Sequence, residues 1–357
     1  MSPTPEVPAN SPFTLHNIPF GVISTSSNPT PRCASAIGDH AIDLGILFQT
    51  AEPDIMLGKP APYQDFEEVF RKQTLNAFAG LPSGLRSNVR RFILDSLLNN
   101  TVPFEAFLPL DTCSPMTGGN IPKNFYYSPS VYNGRASSVV VSPEPIRRPK
   151  GVMYDTGGKE GNPVYGASLK MDFEDLQAYE MTPLGPFHSK GFATSISPWI
   201  VTLEALDPFA CEPKYNHDST TFEHLTWHDR AKGTFDISLT VKLIRNGITY
   251  DVAESNLRYM YWTPYQQIVH HAAGGCGLKT GDLLGTGTIS GEKEGELGCL
   301  YEATQDGNSK LQFDDGSELG YLEDNDEIIL EAWCGDGEGG RATLGFGHSR
   351  GKLLPSI

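Results

Sequence analysis

Two acidic side chains separated by one residue are the first candidates for chemistry in this chain. Asp172 and Glu174 stand at positions i and i+2, and in an extended segment such residues face the same side, so their carboxylates can converge on one point. Convergent carboxylates are the ligands that Mg²⁺ and Ca²⁺ prefer. Lys190 and Thr194 follow closely and add a cationic group and a hydroxyl. The alternative interpretation is a pair of solvent-facing acids on an edge strand.

A glycine-rich segment, residues 285–291, forms a second candidate site. Its glycines let backbone N–H groups approach a ligand, and Thr288 and Ser290 add hydroxyl groups. Such a segment can hold a carboxylate or a developing enolate oxygen. It lacks the signatures of nucleotide-binding loops, and a glycine-rich turn between strands remains the alternative.

Two further groups of side chains support weaker hypotheses. Tyr132 and Arg135 could donate hydrogen bonds to a carboxylate, although the motif taken alone favours a turn with a structural arginine. His224 and His228 are four residues apart, which is a zinc-ligand spacing only if that segment is helical.

The elements of the N-terminal part are predicted from short-range signals. Residues 13–48 are predicted to be strands, with a hairpin turn at Gly38. Ser83 is predicted to cap a helix whose apolar side chains recur with a period of 3.6 residues, and Asn99 ends it. A boundary after residue 105 predicts two domains, residues 1–105 and 106–357.

The C-terminal part shows the alternation of β-strands. Apolar and polar residues alternate from Phe235 to Leu243, and Asn246-Gly247 predicts a hairpin turn into the next strand. One helix interrupts this pattern, with Thr263 as its cap and Gln266 completing a capping box.

Composition excludes several classes of function. The chain has 357 residues and a formal net charge of −16, which argues against non-specific binding to nucleic acid or to anionic membranes. No stretch reaches the length of a membrane-spanning helix. The N-terminus does not resemble a secretory signal, and the six scattered cysteines indicate reduced thiols. We therefore expect a cytoplasmic location.

Motifs spread along the chain resemble those of the fumarylacetoacetase family, the fumarylacetoacetate hydrolases of tyrosine degradation. The similar segments include residues 16–22, 36–39, 145–149, 197–199, 261–263 and 345–347. Three further ones are Tyr132-Asn133-Gly134-Arg135-Ala136-Ser137-Ser138, Pro183-Leu184-Gly185-Pro186-Phe187 and Gly287-Thr288-Ile289-Ser290-Gly291.

The resemblance implies a fold and an activity. The fold is mainly β with α/β elements: a small N-terminal SH3-like β-barrel and helical connector, then a C-terminal mixed β-roll, assembled as a homodimer. The activity is Mg²⁺- or Ca²⁺-dependent hydrolysis of a carbon–carbon bond in a small β-diketo acid, fumarylacetoacetate, to fumarate and acetoacetate. This is the last step of tyrosine and phenylalanine degradation.

The resemblance also assigns roles to individual residues of this chain. Lys190 matches the active-site lysine, and Glu302 the glutamate that orients a general-base histidine. The substrate-binding positions are Tyr132, Gln177 and Thr288, and the metal-binding positions are Glu174 and Thr194. Asp172 matches the aspartate that precedes the family's first metal-binding glutamate, and its i, i+2 spacing from Glu174 keeps it as a candidate metal ligand.

Two segments of the family pattern have no counterpart here. One lies upstream of Tyr132 and carries the general-base histidine and a metal-binding aspartate; the other follows Glu174 and carries a metal-binding glutamate and a metal-binding aspartate. His188 is the candidate for a replacement base. The alternative hypothesis is a catalytically inactive or impaired paralogue that keeps the fold as a binding or partner subunit, or a gene model that lost two coding segments.

Overall fold

The computed structural model describes residues 5–8, 10–50, 66–110, 113–115, 139–147, 152–154, 163–165, 193–214, 223–226, 229–260, 262–273, 275, 277–305, 308–335 and 343–355. Within these residues the protein is mainly β, with several separate sheets and a smaller share of helix. The strands are β1 (Phe20–Thr25), β2 (Asn28–Ile37), β3 (His40–Asp43), β4 (Phe107–Pro109), β5 (Cys113–Pro115), β6 (Val139–Val141), β7 (Ile146–Arg147), β8 (Val152–Tyr154), β9 (Pro163–Tyr165), β10 (Thr194–Ile196), β11 (Trp199–Ile200), β12 (Ala210–Cys211), β13 (Thr234–Phe235), β14 (Ser238–Arg245), β15 (Ile248–Asn256), β16 (Leu311–Gln312), β17 (Glu318–Leu319), β18 (Glu327–Cys334) and β19 (Leu344–Leu354). The helices are α1 (Leu44–Thr50), α2 (Phe66–Phe70), α3 (Asn76–Ala79), α4 (Ser83–Leu98), α5 (Leu203–Leu206), α6 (Pro264–Ala273) and α7 (Leu300–Ala303).

The N-terminal sheet has the strand order β11-β1-β2-β3-β4, and β5 also pairs with β1. The predicted hairpin between β2 and β3 is confirmed, and its turn residue Gly38 has φ +60°, a conformation that glycine adopts at no steric cost. The described strands form an open path, so the SH3-like barrel stays a prediction. Strands β4, β5 and β11 lie beyond residue 105, and the predicted domain boundary there also stays a prediction.

Helix α4 confirms the predicted amphipathic segment. Its buried residues Val89, Phe92, Ile93 and Leu97 lie on one face, which packs into the N-terminal core. The predicted cap at Ser83 is wrong. The helix begins at Ser83 itself, and the carbonyl of the preceding proline accepts the first hydrogen bonds at 3.0 and 3.2 Å.

The larger C-terminal sheet has the order β15-β14-β18-β19-β7. The predicted turn between β14 and β15 is confirmed, since Asn246 and Gly247 have φ +54° and +80°, as a type I′ turn requires. The predicted alternating run from residue 235 to 243 is divided. Phe235 belongs to β13, which pairs with β12, and β14 begins only at Ser238.

Helix α6 begins with the predicted capping box. The backbone N–H of Thr263 donates to Gln266 Oε1 at 3.0 Å, and the N–H of Gln266 donates to Thr263 Oγ1 at 3.3 Å. Reciprocal bonds of this kind satisfy two donors that a helix start leaves without partners. Gly275, with φ +84°, follows the end of the helix.

The chain before β1 connects the two sheets. Asn17 Nδ2 donates to the Gly345 carbonyl at 2.7 Å, and the Gly345 N–H donates to the Pro12 carbonyl at 3.1 Å. Phe13 meets Trp199 of β11 edge to face, with ring centroids 5.4 Å apart. These contacts fix the start of β19 against the N-terminal sheet.

Among the cysteines with described side chains, Cys33, Cys211 and Cys334 are free thiols. Burial raises the pKa of Cys33 and of Cys334 to about 12, so both stay protonated and unreactive at neutral pH. None of the helices in the described part of the chain is long and apolar enough to cross a membrane.

Candidate active site

The two faces of the C-terminal sheet differ in chemistry. Leu239 and Val241 of β14 point to one face, and Thr240 and Lys242 point to the other, because side chains alternate along a strand. Directly opposed residues of neighbouring strands share a face. Leu330 of β18 is opposite Val241 and therefore extends the apolar face.

A cavity of about 370 Å³ lies against the apolar face. Strands β14, β15, β18 and β19 form its floor, and the glycine-rich segment 285–291 contributes one wall. The lining residues are Ser197, Leu239, Thr240, Val241, Ala253, Ser255, Gly287, Thr288, Ile289, Gly298, Leu330, Glu331, Ala332, Phe346, Gly347 and Ser349. An apolar cavity with a few hydroxyl groups is a typical site for a small organic ligand.

Ser255 gives the apolar floor an unsatisfied polar group. It is only 8% exposed and lines the cavity, and its Oγ has no hydrogen-bond partner among the described residues. A buried hydroxyl without a partner carries a desolvation cost of about 1–3 kcal/mol. A ligand with an oxygen or N–H group near Ser255 would remove that cost.

Thr288 lies at the edge of the cavity, exposed, in the middle of the glycine-rich segment. Gly298 packs directly beneath this segment. A Cβ at position 298 would collide with the Ile289 carbonyl oxygen and come within 2.9 Å of the Thr288 methyl group. The conformation that presents Thr288 therefore depends on a glycine at position 298.

Glu302 is tied to the same segment through Ser290. The Ser290 hydroxyl donates to Glu302 Oε2 at 2.5 Å and accepts from the Gly298 N–H at 3.1 Å. Glu302 lies on the short helix α7 and is exposed. Among the described residues its partner is this serine, and no described histidine bonds to it.

Thr194 begins strand β10, beside the cavity rather than in its wall. Its neighbour Ser195 shares a hydrogen bond of 3.1 Å with Ser349, a lining residue, and Ser197 Oγ donates to the Phe346 carbonyl at 2.8 Å. Since successive side chains of a strand face opposite ways, Thr194 points away from Ser349. Its Oγ1 is buried and has no hydrogen-bond partner among the described residues.

Of the predicted metal-binding residues, Thr194 lies within the described part of the chain. In the described ranges no group of three or more His, Cys, Asp or Glu side chains could hold an ion. Asp172 and Glu174 lie outside the described residues. The orphaned Thr194 hydroxyl fits a ligand of a hard cation or of its bound water, since oxygen is the donor such ions take.

The structure therefore brings Thr288 and Glu302 together through one loop, and it places Thr194 near the same cavity. The other predicted site residues, Lys190, Tyr132 and Gln177, lie outside the described residues, as do Arg135, His188 and His228. Sequence reasoning missed Ser255 and Gly298. The alternation of β15 marked Ser255 as facing inward, whereas no local signal marked Gly298.

The opposite face of the C-terminal sheet is charged. Glu331 accepts from Lys242 Nζ at 3.0 Å and pairs with His348 Nδ1 at 2.8 Å, and Glu327 pairs with Arg350. The hydrogen bond from Arg350 lowers the pKa of Glu327, and the bond to Glu331 raises the pKa of Lys242. These pairs stabilise a solvated face and leave the cavity side apolar.

Comparisons with known families match both halves of the chain. Residues 16–114 match the family described as "Fumarylacetoacetase N-terminal", and residues 164–346 match "Fumarylacetoacetate (FAA) hydrolase C-terminal". Thr194, Thr288 and Glu302 all lie in the second match.

Curated relatives match along nearly the whole length. Fumarylacetoacetases from Bos taurus and Homo sapiens are 34% and 33% identical, each over 426 positions that cover 98% of this chain and 98% of the relative. The protein from Arabidopsis thaliana is 34% identical with the same coverage. Because this chain has 357 residues, at least 69 of the 426 positions have no residue here.

Similarity to solved structures is weaker. The structure titled "Crystal structures of Cg1458" is 14% identical, covers 94% of this chain and 99% of its own, and has a TM-score of 0.38. A TM-score of that size supports no argument about this chain.

Proposed function

Because this chain belongs to the fumarylacetoacetase family of hydrolases, we propose that it cleaves a carbon–carbon bond of fumarylacetoacetate, with Mg²⁺ or Ca²⁺, to give fumarate and acetoacetate. This would be the last step of tyrosine and phenylalanine degradation. A homodimer in the cytoplasm is part of the same proposal.

One observation carries the proposal. Thr288, a predicted substrate-binding residue, lines the cavity. The hydroxyl of Ser290, two residues later, donates a hydrogen bond of 2.5 Å to Glu302 Oε2. One loop thus joins a substrate-contact residue to an acid assigned to catalysis. In a site of this kind, groups positioned before the reaction contribute more than groups that must be ordered during it.

The cavity suggests how the substrate lies. We place its carbon chain along Leu239, Val241 and Leu330, with one oxygen at Ser255 and another at Thr288. Fumarylacetoacetate also carries two carboxylates. The charged residue among those that line the cavity is Glu331, an acid whose side chain points to the opposite face of the sheet and pairs there with Lys242. We therefore expect Lys190 and Tyr132 to bind the two carboxylates.

The reaction needs a proton acceptor and a stabilised leaving group. A water molecule loses a proton to a base, its oxygen bonds to the carbonyl carbon, and the carbon–carbon bond breaks. The electron pair leaves with acetoacetate as an enolate, which then takes up a proton; Lys190 would hold that oxygen. We assign the base to a histidine oriented by Glu302, with His188 as the candidate.

The metal-binding residues in this proposal are Asp172, Glu174 and Thr194. A divalent ion bound there supplies a Lewis acid that favours charge on the leaving enolate.

The second candidate function is an inactive or impaired paralogue that keeps the fold as a binding or partner subunit. The observation that favours it is the shortfall of at least 69 positions against the bovine relative, which is internal because both chains are covered to 98%. Loss of a positioned general base typically costs about 10²–10⁴-fold in rate.

The deciding experiment follows the loss of fumarylacetoacetate absorbance with purified protein, first with Mg²⁺ and then with chelator. We expect turnover that the chelator abolishes, and we expect Glu302→Gln to lower kcat/KM by roughly 10–100-fold because the carboxylate no longer orients the base. Glu294→Gln is the matched control, since Glu294 is exposed and eight residues away.

Three other outcomes would distinguish the alternatives. Absence of turnover in a folded, monodisperse dimer would support the binding or partner subunit. Absence of turnover in aggregated protein would support a shortened gene model. Turnover that Glu302→Gln leaves unchanged would contradict the role of Glu302.

A further inference from the structure

Two histidines from different elements face each other away from the cavity. His224 lies in the 3₁₀ turn Glu223–Leu225, and His270 lies in the last turn of α6. His224 Nε2 and His270 Nδ1 are 3.5 Å apart, and the two rings are inclined by only 14°. The sequence spacing had paired His224 with His228 instead.

Buried contacts hold these two elements together. Gln266 Nε2 donates to the Leu225 carbonyl at 2.8 Å, and the Leu225 side chain is only 6% exposed. Gln266 is itself fixed by its reciprocal bonds with Thr263. The turn is therefore locked to the helix on its inner side, and the two imidazoles are held opposite each other on the outer side.

From this arrangement we propose that His224 and His270 bind one transition-metal dication of the Zn²⁺, Ni²⁺ or Cu²⁺ type. Imidazole nitrogen is the ligand these ions prefer over Mg²⁺ or Ca²⁺. Two nitrogen–metal bonds of about 2.05 Å to atoms 3.5 Å apart enclose an angle of about 117°, close to tetrahedral. Both rings are exposed, so each can rotate to direct its lone pair at the ion.

The proton balance of this step is simple. In the metal-free pair one ring N–H donates to the facing nitrogen of the other ring. When a dication binds, the donating ring takes its other tautomer, with its proton on the nitrogen that faces away, so that both neutral rings offer a lone pair to the ion. Because protons compete with the ion for these nitrogens, affinity falls as pH drops. Water molecules complete the coordination. The site is independent of the proposed hydrolase activity, and it clamps the turn Glu223–Leu225 to α6.

The test is calorimetric titration of Zn²⁺ into untagged, chelator-stripped protein. We expect one ion per chain, and His224→Asn and His270→Asn should each weaken binding at least 10-fold. His271→Asn is the matched control, because His271 is the next residue on the same helix and points about 100° away. Circular dichroism confirms that each variant is folded.

A second measurement keeps the proposal testable if other side chains also take up zinc. With Cu²⁺, electron paramagnetic resonance should show hyperfine coupling to two imidazole nitrogens, and each variant should lose one of them. Wild-type affinity retained in His224→Asn and His270→Asn would overturn the proposal. So would a failure of the wild-type protein to bind Zn²⁺ or Cu²⁺.

Discussion

The N-terminal region packs its apolar side chains around one dense core, whereas the C-terminal sheet leaves an apolar face open to a cavity. Among the described residues, twenty buried side chains between Ile18 and Ala106 form the N-terminal core. The C-terminal cluster around Phe235 has six buried members, and Leu330 on the cavity floor is 41% exposed.

The two regions therefore differ in role: the packed N-terminal core contributes to the stability of the fold, and the open C-terminal face contributes to the candidate site. Phe48 and Phe70 stack with centroids 4.7 Å apart, and Phe20 and Phe78 with centroids 4.4 Å apart, so aromatic rings fill this part of the N-terminal core closely. In the C-terminal sheet, part of the apolar face stays unburied and forms the floor of the cavity. We therefore expect core substitutions to act on folding, and loop substitutions to act on turnover.

The largest expected effect is that of Phe70→Ala. Phe70 is fully buried between Phe48 and Phe78, and removing its ring leaves a cavity that costs about 3–5 kcal/mol. Urea denaturation followed by circular dichroism measures the loss. Phe104→Ala is the matched control, because Phe104 is 67% exposed and its loss should cost less than about 0.5 kcal/mol. Equal costs would contradict the description of a dense core.

The next largest expected effect is that of Gly298→Ala, which should lower activity without lowering stability. Gly298→Ala forces the Ile289 carbonyl and Thr288 to move, and a displacement on the order of 1 Å can cost about 10²-fold in rate. We expect kcat/KM for fumarylacetoacetate to fall by roughly 10–100-fold, with little change in the urea midpoint. Gly277→Ala is the control, since a Cβ there meets nothing within 4 Å. A large loss of stability in Gly298→Ala would show that the loop belongs to the fold rather than to the site.

The smallest expected effect is the loss of stability in Glu327→Gln, on the charged face of the C-terminal sheet, and it depends on pH. The hydrogen bond from Arg350 lowers the pKa of Glu327 in the folded protein. A depressed carboxyl pKa contributes stability that is complete above the unfolded pKa of about 4.3 and is lost as pH falls through the folded value. Glu327→Gln should therefore cost less than about 1 kcal/mol at pH 7. The difference should shrink below about pH 5.

Urea denaturation of both proteins at pH 7, 5 and 4 checks this sign. Glu294→Gln serves as the control, because exposed Glu294 makes no ion pair with a described residue. A difference that grows toward acid pH would mean that Glu327 is not stabilised by Arg350.

Several elements could be predicted because their signals are local. The turns at Gly38 and Asn246-Gly247 need only the positive φ values that these residues tolerate. The capping box of Thr263 and Gln266 joins residues three apart. The predicted Ser83 cap is wrong although its signal is local, because the helix begins at Ser83 itself and Pro82 occupies the N-cap position.

The candidate site was predictable only in part. Thr288 and Ser290 stood out by their glycine neighbours, and Glu302 through the family resemblance. The bond between Ser290 and Glu302, the place of Gly298 beneath Ile289, and the unpaired hydroxyl of Ser255 all depend on how separate strands and loops come together.

The family resemblance, the amphipathic helix α4 and the two hairpin turns follow from residue types at short spacing, and the excess of negative charge follows from composition alone. The folded arrangement was needed to show that β11 joins the N-terminal sheet and that an apolar sheet face borders a cavity. It alone brought His224 to His270 across 46 residues. The reason is physical: spacing along the chain fixes which residues share a face, whereas burial of that face against distant elements fixes what it meets.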